Sequence, residues 1–262
     1  MITLIGTGHV FRIAEPVSFI VKNIWPDAVL VELDEKRYGA LRAPPSEDRE
    51  KSSSWAYRNT AEYQKAVAEE NGSQVGAEFE AAVETGRTIG AAIEFIDKDA
   101  AETMNEAFGE MPFREKARFM FSMIGDRFRP KKKAQTAVEE FAENEEKYFE
   151  DLRKRYPTLV RKLIDERNAY MADRINEASK KYGNMIAVVG DGHVEGIAGL
   201  LAADASCIRK IRLKTLMSTE QMNALRAELW SGNAPDSSSE GIRIEEENVN
   251  GYDRTPEHEG KE

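Results

Sequence analysis

Residues 2–14, ITLIGTGHVFRIA, return 184 positions later as residues 186–198, IAVVGDGHVEGIA. Seven positions are identical in register: an isoleucine, two glycines, a histidine, a valine, a second isoleucine and an alanine. Each copy is an apolar run, then Gly-x-Gly-His, then a stretch able to start a helix. That order describes a strand leaving into a tight turn with an imidazole at its carboxyl end, the edge at which α/β sheets bind ligands. Two glycines in such a turn serve either a positive φ or a close backbone approach. The chain has three histidines; His9 and His193 occupy these frames, and His258 lies in a polar tail. The pair is read as the centre of one site.

The rest of the chain supplies strands and helices around these two units. The apolar run 28–34 suits a parallel strand covered on both faces, and Glu32 interrupts it near its carboxyl end. A buried carboxylate there is costly unless it is paired or metal-bound. A third strand is expected at 91–96, ending at Asp97, which reads as the cap of a helix at 100–108. Further helices are expected at 16–23, 74–88, 115–128, 136–155, 157–182, 195–203 and 220–230, with one more resuming near Ala61. Alternation over 206–216 suggests an edge strand. Residues 42–60 read as a polar loop or flap and 129–133 as a solvated basic turn. Residues 231–262 hold too few apolar side chains to pack and read as a disordered acidic tail. The fold class is therefore α/β: a mixed, largely parallel sheet flanked by helices, with two related strand–turn–helix units in one domain over 1–230.

Two charged residues stand out by position. Glu78 borders the apolar face formed by Val75, Phe79, Ala82 and Val83, so it is either an exposed helix carboxylate or part of a site. Arg167 falls inside the stripe Val160, Ile164, Met171 and Ile175. A guanidinium aimed at the core needs an acidic partner there.

Composition removes several alternatives. The net charge of −10 argues against nucleic acid as a partner, since phosphate binding needs a clustered positive surface. One cysteine, Cys207, leaves no intrachain disulfide and no cysteine-based zinc site, which suits a reducing, cytoplasmic compartment. No apolar run approaches the roughly 18 residues of a membrane span, so none is expected in this chain. Gly-x-Gly-x-x-Gly fails in both copies, where Phe11 and Glu195 stand at the third glycine, so a dinucleotide fingerprint is absent. Neither His-Glu-x-x-His nor Gly-x-Ser-x-Gly occurs.

Strand ends thus carry His9, Glu32, Asp97 and His193. Two neutral imidazoles and a carboxylate are a common ligand set for a divalent ion with an open position. Such an ion acidifies bound water and polarises a carbonyl. The competing reading keeps both histidines as satisfied structural residues.

The ordered set ITLIGTGHV, PDAVLVELDEKRYGAL, VGAEFEAAVETG, FIDKD, LVRKLIDERNAYMADRI and VVGDGHVEGI resembles the TraB/PrgY family, related to the Tiki proteins. The resemblance runs from residue 2 to about 201. It implies an α/β fold with two glycine–histidine motifs and a metal-dependent peptidase activity, with manganese or cobalt favoured and zinc also compatible. Bacterial relatives are linked to shutting down peptide pheromones, and wider relatives include erythromycin esterase-like and ChaN-like proteins. By motif, His9, Glu32 and His193 are the implied metal ligands. Glu78 matches the helix glutamate, a general base or further ligand. Arg167 and Asn168 match the Glu-Arg-Asn segment, the arginine orienting a carboxylate or stabilising an oxyanion. Many microbial members carry hydrophobic helices after the shared domain, where this chain has its acidic tail. The implied partner is a peptide or protein substrate, and a homo-oligomer is compatible with the sequence. A non-catalytic protein that sequesters a peptide or a metal would keep the same histidines.

Overall fold

The structure is a computed structural model that describes residues 1–8, 11–42, 74–127 and 145–232. Five strands form its sheet: β1 (Ile2–Thr7), β2 (Ala28–Val31), β3 (Ala92–Phe95), β4 (Met185–Gly190) and β5 (Ile208–Ile211). Their order is β3-β2-β4-β1-β5, and every neighbouring pair is parallel. The expected α/β fold with helices flanking the sheet is present. The antiparallel element allowed for in a mixed sheet does not occur among the described strands.

Burial explains the pairing. β1, β2 and β4 are apolar on both sides, as a strand covered by helices must be. On one face, Ile5, Val29, Val31, Ile186 and Val188 pack against helices α1 (Ala14–Ile24) and α3 (Ala77–Thr88). On the other, Leu4, Ala28, Leu30, Ala187 and Val189 meet Met171, Ala172, Ile175 and Ala178 of a long carboxyl-terminal helix. Ile175 is fully buried there, so Ile175→Ala would cost about 2–5 kcal/mol.

The strand order places the site. β1 leads through α1 to β2, and β4 is later inserted between them, so the carboxyl ends of β1, β4 and β2 stand side by side. Register is fixed along the ladder, with Thr7 opposite Gly190 and Val31 opposite Val188. The chain then passes from β4 over β1 to β5. Connections run to opposite sides from this point, which is where an open α/β sheet leaves a crevice.

Several elements differ from their sequence-based outlines. Helix α2 (Glu35–Arg42) was not anticipated; Asp34 caps it, its Oδ1 accepting the Arg37 N–H at 2.9 Å. Helices α4 (Ala100–Glu110), α5 (Phe113–Arg127) and α6 (Glu145–Arg155) follow in chain order. The expected single helix over 157–182 is α7 (Pro157–Val160), a π turn (Arg161–Asp165) and α8 (Glu166–Ser179). In that turn the Glu166 N–H reaches back five residues to the Arg161 carbonyl. After β4 comes a 3₁₀ turn (Asp191–His193) and a short helix α9 (Val194–Ala198), which stops before the expected residue 203. The edge strand ends at Ile211, and α10 (Leu213–Met217) follows. Leu213 and Leu216 are both buried, a helical spacing of three that sequence alternation had disguised. Helix α11 (Thr219–Gly232) closes the described chain. The expectations for residues 43–73, 128–144 and 233–262, and for His9, lie outside the described residues.

Candidate functional site

Each site residue is delivered by the end of an element. Glu32 follows β2, and Asp97 follows β3 by two residues. His193 closes the 3₁₀ turn after β4, while Arg167 and Asn168 open the first turn of α8. All of these except Arg167 are buried, and its side chain is only 13% exposed.

Arg167 joins the group. Its Nε donates to Asp97 Oδ1 at 3.0 Å, and its Nη2 donates to Asp97 Oδ2 at 2.7 Å and to Glu32 Oε1. Its Nη1 donates to the Leu163 carbonyl at 3.2 Å and lies 3.3 Å from His193 Nε2. Burial opposes the charged guanidinium, but Glu32 and Asp97 outweigh it and hold its pKa above the ordinary arginine range. The Leu163 carbonyl belongs to the π turn, so that irregularity presents an acceptor to the arginine one turn later.

The carboxylates are held from the backbone as well. Glu32 Oε2 accepts the Gly190 N–H at 2.5 Å, and Asp97 Oδ1 accepts the Lys98 N–H at 2.8 Å. His193 Nδ1 lies 2.7 Å from Asn168 Oδ1. A carbonyl oxygen needs a donor, so this bond assigns the proton to Nδ1 and leaves Nε2 as an acceptor facing Arg167 and Glu32. Asn168 itself is admitted by a missing side chain, since a Cβ on Gly196 would lie 2.1 Å from its Nδ2.

The glycines of the turn act by close approach. Gly190 has φ −58°, and neither Gly6 nor Gly190 is among the positive-φ glycines. A Cβ on Gly6 would sit 2.0 Å from Asp191 Oδ1, so the first copy of the motif leaves room for a carboxylate of the second.

The structure corrects one reading and adds one residue. Asp97 does not cap α4. Asp99 does, accepting the N–H groups of Ala101 and Glu102, while Asp97 turns inward to Arg167. Two acidic residues two positions apart were a signal that only one of them was needed as the cap. Arg37, on the first turn of α2, donates to Asp97 Oδ2 at 3.3 Å and was not anticipated. Glu78 is fully buried on the first turn of α3, which packs against β2 on the sheet face opposite α8, and it is not among the acceptors of Arg167. His9 lies outside the described residues. Thr7, two residues before it, pairs with Gly190, so the two glycine–histidine turns leave neighbouring strands at the same edge.

A family model, TraB/PrgY/gumN, matches residues 1–205. The chain belongs to the TraB/PrgY/gumN family. It is also 31% identical over 210 residues to an uncharacterized protein of Methanocaldococcus jannaschii, a match that covers 76% of this chain and 53% of that protein. The chain thus spans about half the length of the curated relative it matches. Both glycine–histidine turns and the Glu32, Asp97 and Arg167 positions fall inside the region the family model covers. No helix among the described residues is long and apolar enough to cross a membrane.

Among the described residues no group of three or more His, Cys, Asp or Glu is placed to hold a metal ion. Two donors do suit one. His193 Nε2 and Glu32 Oε1 are 3.5 Å apart, close to the roughly 3.3 Å between two ligands whose bonds to one ion are about 2.1 Å. The Nδ1 bond to Asn168 is the outer contact that a metal-binding imidazole ordinarily makes. Arg167 already faces the same two atoms, so an ion bound there would have to displace the guanidinium.

Proposed function

We propose that this chain is a metal-dependent hydrolase of peptide or related carbonyl bonds, working at the carboxyl edge of the sheet above β2 and β4. The observation that carries the reading is the line Asn168–His193–Glu32: an imidazole with its tautomer fixed, its free nitrogen turned to a buried carboxylate. His193 and Glu32 would hold a divalent ion together with His9, with manganese or cobalt favoured by the family and zinc compatible. When bound, the ion supplies a Lewis acid and a water acidic enough to attack near neutral pH.

The chain's own residues do the rest. Asn168 orients the imidazole, and the Gly190 N–H fixes Glu32. Arg167 holds Glu32 and Asp97 at one point and keeps their charge compensated where water is scarce. Its five N–H donors are all engaged, which favours a positioning role over direct contact with substrate. Glu78 is the proposed general base or additional ligand, a buried carboxylate on the neighbouring helix.

The test is a thermal melt with and without manganese, cobalt or zinc at pH 7.5 and 5.5, paired with turnover of a peptide library. An ion present at 100 times its dissociation constant raises stability by about 2.7 kcal/mol. Protons compete for imidazole nitrogen, so the shift should shrink at pH 5.5. His193→Ala and His9→Ala should abolish it. A parent that melts identically with every metal would remove the ion from the reading. A metal shift without cleavage of any peptide would leave a binding protein in place of an enzyme.

A further inference from the structure

The helix that carries Arg167 and Asn168 begins directly after the π turn Arg161–Asp165. In a regular helix Arg161, two turns before Asn168, would share its inward face. Instead Arg161 is exposed, and Val160, one residue further back, is buried. The turn holds one residue more than an α-helix would, and it rotates everything before it by about 100°. Packing does not require this. A helix one residue shorter would turn both Val160 and Asn168 inward with its hydrogen-bond ladder unbroken. Single π turns of this kind are rare and sit frequently at functional sites.

The turn is held from outside the helix. The Lys162 side chain is only 10% exposed, and its Nζ meets Glu110 Oε1 at 2.8 Å, Glu166 Oε2 at 3.1 Å and Glu106 Oε2 at 3.4 Å. Arg161 pairs with the other oxygens of Glu110 and Glu166. Arg153 of α6 takes both oxygens of Asp165. Leu163 packs against the cluster of Ala107, Met111, Tyr156 and Leu159. Of the five residues in the turn, only Ile164 belongs neither to an ion pair nor to that cluster.

What the turn supplies to the site is the Leu163 carbonyl, which accepts Arg167 Nη1 at 3.2 Å. In the shorter, regular helix that carbonyl would accept the Asn168 N–H instead. We propose that the π turn is a positioning element of the site: α4 and α6 hold its extra residue in place, and its Leu163 carbonyl anchors the Arg167 guanidinium so that the fork cannot rotate away from Asp97, Glu32 and His193. Lys162 is a positioning residue that acts through this turn. The anchor itself follows from the fold. One consequence rests on the hydrolase reading: Glu32 and His193 are the candidate ion ligands, so Asp97 and Leu163 would be the partners that keep the guanidinium at the site when an ion is bound.

The experiment uses the full chain, labelled at arginine for NMR, and reads the rate at which Nη1 and Nη2 of Arg167 exchange places by rotation about the Nε–Cζ bond. The signal is assigned by its loss in Arg167→Lys. Arg212, held by Asp191 through Nε and Nη2 at 2.9 Å each, is the internal control. Deletion of Ile164 makes the helix regular and keeps both of its faces, so the shortened chain should melt no lower than the parent. Its Arg167 rotation should be about tenfold faster or more, with Arg212 unchanged. Lys162→Met should speed Arg167 less, and Lys162→Arg should return it close to the parent rate. Lys162→Met keeps the chain length and decides the matter if the shortened chain does not fold. Arg167 rotating at the parent rate in the folded variants would overturn the proposal. So would equal acceleration of Arg167 and Arg212, which is the mark of a generally loosened fold. Manganese affinity, measured calorimetrically, should fall about tenfold on deletion of Ile164. Absence of ion binding in every form, with the effect on Arg167 intact, would overturn the hydrolase reading and leave the anchor standing. Ion binding at equal affinity in every form, with Arg167 rotation unchanged, would do the reverse.

Discussion

Arg167 and Arg212 stand at the same carboxyl edge of the sheet, and each meets a buried carboxylate. Arg212, just after β5, closes on Asp191 through Nε to Oδ1 and Nη2 to Oδ2, both at 2.9 Å, and reaches Glu195 at 3.1 Å. Asp191 Oδ1 also accepts the Leu213 N–H at 2.8 Å. This pair ties the turn after β4 to the start of α10, across the space that Gly6 leaves open. Arg167 instead spans residues 70 and 135 positions away and adds an imidazole to the group. One arginine clamps the backbone of the glycine–histidine turn; the other gathers the side chains that the turn presents. An ion pair at the rim of a sheet is therefore not by itself the mark of a site. What sets the candidate site apart is a buried histidine bonded to Asn168 and 3.5 Å from Glu32, with Asp97 joined to the group through Arg167.

The contrast can be broken most decisively at Arg167. Arg167→Met leaves Glu32 and Asp97 buried without their shared cation, and should lower stability by about 3–5 kcal/mol in urea denaturation. A loss below about 1 kcal/mol would mean that the two carboxylates do not depend on it. Next in size is Gly6→Ala, whose Cβ would lie 2.0 Å from Asp191 Oδ1 and force the clamp apart. Its expected cost is about 2–3 kcal/mol. Arg212→Met should cost less, about 1–3 kcal/mol, because Asp191 keeps its backbone donor and the site is partly open to water. If Gly6 and Arg212 act on one clamp, the double variant will cost clearly less than the two single losses added together. Arg167 and Gly6 should come closer to additivity.

The smallest effect separates Asp97 from its neighbour. Asp99→Ala removes the α4 cap and should cost about 1 kcal/mol at pH 7. The Glu102 N–H, then Lys36 and the Ala101 N–H, hold the Asp99 carboxyl below the usual carboxylate range. A depressed folded-state pKa contributes stability that is complete above the unfolded value of about 3.9 and is lost as pH falls through the folded one. The gap between parent and Asp99→Ala should therefore close below about pH 4, which acid titration of both melts would read directly. Asp97→Ala should cost more than Asp99→Ala at pH 7, since it leaves Arg167 with Glu32 as its sole anionic partner among the described residues.

What the sequence determined lay within the reach of local rules. The apolar runs of β1, β2 and β4 mark strands covered on both sides. The duplicated turn marks the edge of interest, Glu32 is conspicuous inside an apolar run, and the stripe position of Arg167 requires an acidic partner. Caps and periodicities act over three or four residues, so such features can be read without knowing the fold. Tertiary structure alone decided which acids answer Arg167, because Glu32 and Asp97 reach it only once β4 is inserted between β1 and β2. It also decided that Asp99 and not Asp97 serves as the cap, that Arg37 joins Arg167 on Asp97, and that a π turn interrupts the long helix beneath them. These outcomes depend on strand order and on the space left by Gly6 and Gly196. No periodicity along the chain carries that information, since contacts between residues so far apart are fixed by how the layers close.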